Sequence, residues 1–236
     1  MDKRLMSHWN FPWSIVAVSA VCSVTLAAAV HAPPAHCATI AAQVRSPAGA
    51  GVVDAVVYAV SAAASALSKP GLKVPIEQID REFVPYVSVV QAGTVVIFPN
   101  RDPILHHVYS FSRAKNFEIK LYSGTSPSEI LFDQPGVVTL GCNIHDWMIA
   151  YVLVVETPYF ATTDAQGNAQ LLNVPAGKYD LKVWHPTQKG GGAAQGITVA
   201  HGGTAASGGG SMTASFVIDA APRKVRYKPP LDKLRY

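Results

Sequence analysis

Cysteine, charge and long apolar runs are all scarce in this chain of 236 residues. Only three cysteines are present, and charged residues make up 14% of the sequence. The longest apolar stretch, residues 15–30, has 16 residues, fewer than the ~20 that a membrane-spanning helix needs. We therefore expect no stable membrane span in the mature chain.

The charge balance and the absence of common catalytic motifs exclude further classes. The chain has 19 Lys and Arg against 15 Asp and Glu, which is not the strong basic excess of a nucleic-acid-binding protein. No glycine-rich segment has the strand-to-helix context of a phosphate loop, and no nucleophile motif is present. We expect a protein that is not an enzyme and that does not bind nucleic acid.

The first 38 residues have the pattern of an export signal. Lys3 and Arg4 precede the apolar run, and small residues follow it, as a cleavable signal peptide requires. The pattern predicts a periplasmic or otherwise exported protein. Removal of the signal takes Cys22 and Cys37 with it, so Cys142 remains alone and no internal disulfide can form.

The remaining cysteine lies in a motif rich in metal ligands. Residues 142–148 read Cys-Asn-Ile-His-Asp-Trp-Met, so Cys142, His145 and Met148 follow one another at intervals of three. An earlier histidine at position 106 or 107 completes a set of one thiolate, two imidazoles and one thioether, which is typical of a type 1 copper site. A binuclear copper site is disfavoured because it needs two bridging cysteines.

The two adjacent histidines cannot both face one metal if they lie on a strand. Neighbouring strand side chains point to opposite faces of a sheet. The register from Asn100 favours His106 as the ligand, and His107 then faces away and is available for a hydrogen bond between loops. His185 and His201 have no partner at ligand spacing.

The segment from Asn100 to His106, followed by the Cys142–Met148 motif, resembles the cupredoxins, and among them the amicyanins, whose copper loop is equally short. Residues 83–85 and 89–95 are similar to opening strands of that family. The resemblance covers about residues 74–156 and extends to cupredoxin-containing proteins labelled methylamine-utilisation proteins. It implies an all-β Greek-key β-sandwich that binds one copper ion.

By this resemblance, His106, Cys142 and His145 are equatorial ligands and Met148 is the weak axial ligand. The chain departs from the amicyanin pattern in three places. His107 replaces a smaller polar residue that ties the ligand loops together. Asp146 stands where a proline follows the second histidine, and Gly141 replaces a larger residue before Cys142.

The rest of the chain predicts a second small β-sandwich. Residues 157–220 resemble transthyretin-like or carboxypeptidase-regulatory sandwiches, and residues 39–68 supply a strand pair like the one that begins such modules. We expect the cupredoxin to be inserted between these two parts. In the alternative, two domains follow in tandem and residues 39–68 add strands to the copper domain. A flexible loop is predicted at 190–211 and a basic tail at 221–236.

The leading functional prediction is a periplasmic carrier of single electrons. Its partner would be a redox protein such as a c-type cytochrome or a periplasmic dehydrogenase. By resemblance the partner docks near His145, where Pro103, Ile104, Leu105 and Trp147 could form an apolar patch. Two alternatives stay open: a copper-binding or copper-delivery protein without redox turnover, and an envelope ligand-binding or structural module in which the metal only stabilises the fold.

Overall fold

The computed structural model describes residues 37–67, 73–125, 128–190, 192–200 and 211–223, and their regular secondary structure is almost entirely strand. The elements, in chain order, are β1 (Cys37–Arg45), β2 (Val56–Val60), α1 (Ala62–Ser65), β3 (Lys73–Pro75), β4 (Glu77–Ile79), β5 (Glu82–Val84), β6 (Val87–Gln91), β7 (Thr94–Ile97), β8 (His106–Ser112), β9 (Lys115–Tyr122), β10 (Ile130–Phe132), β11 (Gly136–Gly141), β12 (Ile149–Val155), β13 (Phe160–Thr162), β14 (Asn168–Pro175), β15 (Gly177–Trp184), β16 (Ala193–Val199) and β17 (Ser211–Val217). The predicted all-β class is confirmed. No helix among the described residues is long and apolar enough to cross a membrane.

Strands β3–β12 form a central sandwich. One sheet has the order β6-β12-β11-β8-β9 and faces a second sheet of order β10-β7-β3, while β4 and β5 form a separate hairpin. The core between the two sheets contains large buried side chains such as Phe98, Phe132 and Leu140, together with Cys142 and Met148. The candidate ligands therefore lie at one end of a well-packed apolar core.

Strands β1, β2 and β13–β17 form a flanking sandwich. One sheet has the order β14-β1-β17 and the other β13-β2-β15-β16. Although β1 and β2 are consecutive, they lie in different sheets and make their pairings with strands that follow residue 157. The alternation of buried and half-buried residues along β1 places Ile40, Ala42 and Val44 in the core of this sandwich.

A third apolar cluster joins the two sandwiches. Val56 of β2 packs with Val87 of β6 and with Leu153 and Val155 of β12. Strand β12 is buried on both faces, because its intervening residues point into the core of the central sandwich. Such a strand has a nearly continuous apolar sequence, as residues 149–155 do.

Gln91 connects the two places where the chain passes between the sandwiches. Its amide Nε2 lies 3.2 Å from the carbonyl oxygen of Leu67 and 3.3 Å from that of Glu156. Both crossing points therefore lie within reach of one side chain. This is the geometry that an inserted domain requires, since its ends must lie close together.

Three predicted segments need comment. The signal peptide at 1–38 lies outside the described residues except for Cys37 and Ala38, which begin β1. The predicted loop at 190–211 is wrong over Ala193–Val199, which pairs with β15 as an edge strand. Of the basic tail only residues 221–223 are described, and Arg223 forms an ion pair with Glu82 and lies over the Tyr86 ring.

Candidate metal centre

Three strands bring the candidate ligands together. Gly141, at the end of β11, pairs with Ile149 at the start of β12, so residues 142–148 form a short connection between antiparallel neighbours. On its other side Gly141 pairs with Tyr109 of β8, the strand that begins at His106. The sheet order alone thus places His106 beside the loop that carries Cys142 and His145.

The side chains of His106, Cys142 and His145 converge. Their ligand atoms all lie within 4.8 Å of one another. The two Nδ1 atoms are 3.1 Å apart, and Sγ of Cys142 is 3.7 Å from Nδ1 of His145. All three residues are buried. The donor set of one sulfur and two imidazole nitrogens fits copper or zinc.

Met148 belongs to the same end of the core. Its backbone N–H donates a hydrogen bond of 2.9 Å to the carbonyl oxygen of His145, which closes a tight turn. Its side chain is buried in the apolar cluster that contains Cys142. A thioether is a soft donor, so Met148 is the candidate for a second sulfur ligand.

Asp102 orients His106 and was not predicted from the sequence. A carboxylate oxygen of Asp102 lies 2.7 Å from Nε2 of His106. An ionised carboxylate only accepts hydrogen bonds, so Nε2 carries the proton and Nδ1 of the neutral ring presents its lone pair to the site. An aspartate four residues before a histidine is a weak sequence signal, because only the loop geometry turns it toward the ring.

The turn between β4 and β5 fixes the position of Asp102. The backbone N–H groups of Asp80 and Arg81 donate to its two carboxylate oxygens at 2.7 and 2.8 Å. Burial alone would raise the pKa of Asp102, but the hydrogen bonds from His106 and from these two N–H groups outweigh burial and hold the pKa below its usual value. Asp102 is therefore ionised at neutral pH.

Both histidines are neutral at neutral pH. Burial lowers the pKa of His106, and the neighbouring Asp102 opposes this only in part. Burial, helped by the charges of His106 and Arg81, lowers the pKa of His145 to about 4. A neutral imidazole is the form that binds a metal, so protons do not compete strongly for these nitrogens at pH 7.

His145 is fully buried, although the resemblance places the docking of a partner close to it. Its exposed fraction is 0%. The Trp147 ring lies beside it with a centroid distance of 5.2 Å, and Nε1 of Trp147 donates to the carbonyl oxygen of Arg81 at 3.1 Å. Trp147 and the β4–β5 turn therefore form a cap over the histidine side of the site.

The structure also places the other predicted site residues. Asn100 ties the loop together: its Oδ1 accepts from the N–H of Asp102, and its Nδ2 donates to the carbonyl oxygens of Ile104 and Tyr122. His107 lies on the opposite face of β8 from His106, and its Nε2 is 2.9 Å from a carboxylate oxygen of Glu118. His107 was predicted to form a hydrogen bond between loops, and its partner in the structure is Glu118 on the neighbouring strand β9.

Leu105 is 48% exposed and borders an apolar hollow of about 310 Å³. The hollow is lined by Pro103, Ile104, Leu105, Leu121, Ser123 and Ile144. Trp147 does not line it, because the hydrogen bond to Arg81 holds Trp147 against the β4–β5 turn. Of the predicted patch, only the three residues before His106 share one surface.

Packing against Tyr109 explains why position 141 is a glycine. A Cβ atom at this position would come within 2.6 Å of the Tyr109 ring. Only glycine lets this ring lie against the strand next to Cys142. His107, Tyr109 and Phe111 form a row of rings along the outer face of β8, with centroid distances of 5.6 and 5.1 Å.

The chain is similar to proteins of known structure over part of its length. A nitrite reductase that contains copper, from Thermus scotoductus, is 22% identical over 37% of this chain with a TM-score of 0.34. The chain spans less than a quarter of that enzyme, 23% of its length. A purple cupredoxin from Nitrosopumilus maritimus is 21% identical over 36% of this chain and all of that protein, with a TM-score of 0.31.

Amicyanin from Paracoccus versutus is 18% identical, covers 42% of this chain and 97% of its own, and has a TM-score of 0.33. A family model described as polysaccharide lyase family 4, domain II, matches residues 149–207. No curated protein matches the sequence. The likenesses to solved structures concern the cupredoxin-like fold alone, and the function has to be argued from the site itself.

Proposed function

We propose that this chain is a type 1 copper protein that carries single electrons. The observation that carries the proposal is the convergence, inside an apolar core, of Cys142 with two neutral histidines whose Nδ1 atoms lie 3.1 Å apart. Copper bound there would be held by His106, Cys142 and His145, with Met148 as a weak fourth donor, and would supply a Cu(II)/Cu(I) couple.

The sulfur content of the site favours copper over zinc. A structural zinc site is closed by four strong ligands, and a thioether is not among the usual zinc donors. Here the fourth nearby donor is Met148, and a thiolate with a thioether suits Cu(I) while the imidazoles suit both oxidation states. The site thus accepts either state without exchanging ligands.

The setting of the ligands favours electron transfer over catalysis. His106, Cys142 and His145 are attached to hydrogen-bonded strands, and Asp102 fixes the His106 ring through a carboxylate that is itself held by two backbone N–H groups. Such a frame resists rearrangement when the charge of the ion changes. An electron carrier needs this property, because rearrangement adds to the barrier.

The apolar hollow is the proposed docking surface for a redox partner. Leu105 and Ile144 border it, and each is the chain neighbour of a candidate ligand, His106 and His145 respectively. A partner protein with an apolar surface around its own redox centre, of the type found in c-type cytochromes, would lie one residue from the site even though His145 is buried. Transient redox interfaces are small, and a hollow of this size suits one.

A copper-delivery protein is the second candidate. The observation that favours it is a cleft lined by both Cys142 and Met148, which would let the ion leave as well as enter. The two functions differ in exchange rate. A carrier retains copper when a chelator is added in excess, whereas a delivery protein loses it within the time of a transfer reaction.

Copper-loaded, oxidised protein provides the test. A thiolate bound to Cu(II) gives an intense visible band and a characteristic EPR spectrum, and Cys142→Ser should abolish the band. Cys37→Ser is the matched control, because Cys37 is exposed at the start of β1, a strand of the flanking sandwich. A band that survives in Cys142→Ser, or wild-type protein that binds zinc but no copper, would refute the assignment.

A further inference from the structure

The histidine side of the site is closed. His106 and His145 have no exposed surface. The ring of His106 is held from behind by Asp102, whose carboxylate is covered by the backbone of the β4–β5 turn. Trp147 lies against His145 and is tied to the same turn. An ion cannot reach the two Nδ1 atoms from this side unless the cap opens.

The sulfur side of the site borders an open cleft. The cleft has a volume of about 400 Å³, and both Cys142 and Met148 contribute to its lining. The remaining lining residues are Tyr109, Phe111, Ser112, Thr139, Leu140, Gly141, Asn143, Asp146 and Ile149. The apolar hollow and the cleft beside Trp147 are lined by none of the four candidate ligands. Among these three spaces, only the sulfur-side cleft reaches the site.

We infer that the sulfur-side cleft is the route by which copper enters, with Cys142 and Met148 as its first donors and Asp146 as the charge that draws the cation in. The inference rests on the proposed function. Asp146 is exposed and belongs to the lining of the cleft, so it adds a negative charge there. A charged group at the mouth of a cleft raises the local concentration of an oppositely charged ion.

This order of capture agrees with the chemistry of the donors. Cys142 and Met148, which carry the soft donors of the set, line the cleft although they are only 3% and 2% exposed, whereas the two histidines do not line it. An ion that reaches the sulfurs therefore finds the two Nδ1 lone pairs without any displacement of Asp102 or of the cap. This order of capture gives a role to Asp146, which stands where the amicyanin pattern has proline.

The test compares the rate of copper uptake by apo-protein that carries a bulky group in the cleft. Thr139 lies on the cleft wall in β11, and Thr139→Trp should fill the cleft. Mixed with Cu(II) in a stopped-flow instrument, this variant should develop the visible band more slowly by roughly tenfold or more, equivalent to about 1.4 kcal/mol of barrier. The final spectrum should match the wild type. Val137→Trp, at an exposed position of the same strand that does not line the cleft, is the matched control and should load at the wild-type rate.

A charge variant tests the role of Asp146. Asp146→Asn should load several-fold more slowly at low ionic strength and at the wild-type rate in high salt, because salt screens attraction between exposed charges. Asp180→Asn removes the same charge from an exposed position on β15 and should have no effect. If Asp146→Asn and Asp180→Asn are slowed equally, net charge explains the effect and the local role is refuted.

Thiol labelling separates the route from the metal assignment. In protein whose Cys22 and Cys37 are replaced by serine or removed with the signal, a small methanethiosulfonate reagent should modify Cys142 of apo-protein, and Thr139→Trp should slow this reaction while Val137→Trp does not. Wild-type rates of copper uptake and labelling in Thr139→Trp would overturn the inference, as would faster uptake on removal of the cap by Trp147→Ala. Protein that labels as expected but binds no copper would instead refute the proposed function.

Discussion

Asp102 holds the imidazole of His106 by a hydrogen bond of 2.7 Å, and this single contact decides which nitrogen of the ring faces Cys142. The carboxylate accepts from Nε2, so the lone pair of Nδ1 points at Nδ1 of His145, 3.1 Å away. Because Asp102 is fixed by the backbone of Asp80 and Arg81, the histidine is oriented before a metal arrives. Outer-shell contacts of this kind set the affinity of a metal site.

Substitution of Asp102 should therefore weaken copper binding without removing a ligand. Asp102→Ala leaves Nε2 of His106 without its acceptor and frees the ring to turn, so we expect the affinity for copper to fall by about 10- to 100-fold. Competition against a chelator of known affinity measures the change. Asp133→Asn is the control, because Asp133 is exposed and forms an ion pair with Lys115 at the other end of β9. An unchanged affinity in Asp102→Ala would show that packing alone orients the ring.

The two adjacent histidines should behave differently. His106→Ala removes a nitrogen that lies within ligand distance of the others and should destroy the visible spectrum of the copper protein. His107→Ala removes only the contact with Glu118 and the ring packing on Tyr109, so the band should persist. Optical spectra of the two copper-loaded variants decide the matter. The opposite pattern would mean that His107 is the ligand.

Much of the site follows from local sequence. The spacing of Cys142, His145 and Met148 is short enough for one turn to hold all three, and strand alternation separates His106 from His107. These inferences need only the geometry of neighbouring residues. The structure places the first histidine and the Cys142 loop together through the pairings of β8, β11 and β12.

What the sequence did not predict depends on contacts between distant segments. The capping of His145 by Trp147 and the β4–β5 turn joins residues 66 positions apart. The support of Asp102 by Asp80 and Arg81 spans more than 20 positions. The same holds for β16, which looks like a glycine-rich loop until β15 is known to offer it an edge. Pairing partners, unlike periodicity, leave little trace in a single sequence.

The flanking sandwich should lose stability as the pH falls. His185 is buried, and its Nδ1 accepts hydrogen bonds from Thr187, which requires the neutral ring. Burial lowers the pKa of His185, while Asp54 and the Val53 carbonyl group oppose this in part. Since the folded-state pKa lies below the unfolded value of about 6.5, the stabilisation is complete above that pH and is lost as the pH falls through the lowered pKa.

Urea unfolding of the wild type and of His185→Gln at pH 8 and pH 5 measures this effect. The glutamine amide can replace the hydrogen bonds but does not titrate, so the variant should show a smaller decrease in unfolding free energy between the two pH values. All other titratable groups are the same in the two proteins, so their contributions cancel in the comparison. Equal pH dependence in the two proteins would exclude His185 as the group responsible.

The division into two sandwiches leads to the last prediction. Among the described residues, the sheets of the central sandwich contain no strand from outside β3–β12, and Gln91 bridges the two crossing points at Leu67 and Glu156. Residues 73–156 expressed alone should therefore fold and develop the visible band with copper. The flanking strands, with residue 67 joined to residue 157 by a short linker, should fold as well. Isolated 73–156 that stays unfolded in the presence of copper would favour the tandem arrangement.

Expression of residues 73–156 alone also exposes an apolar face, and this leads to a second expectation for the fragment. Tyr86, Val87, Leu153 and Val155 pack against the flanking sandwich in the whole chain and would face water in the fragment. We expect the fragment to self-associate, and Leu153→Gln with Val155→Thr to make it monomeric in sedimentation velocity without loss of the band. In the whole chain the same pair of substitutions buries unpartnered polar groups at the contact between the sandwiches and should lower the unfolding free energy by about 2–4 kcal/mol. If the two substitutions destabilise the whole chain but leave the fragment folded, the central sandwich is an inserted domain that folds by itself and then docks. If they also unfold the fragment, the central sandwich does not fold independently of this face.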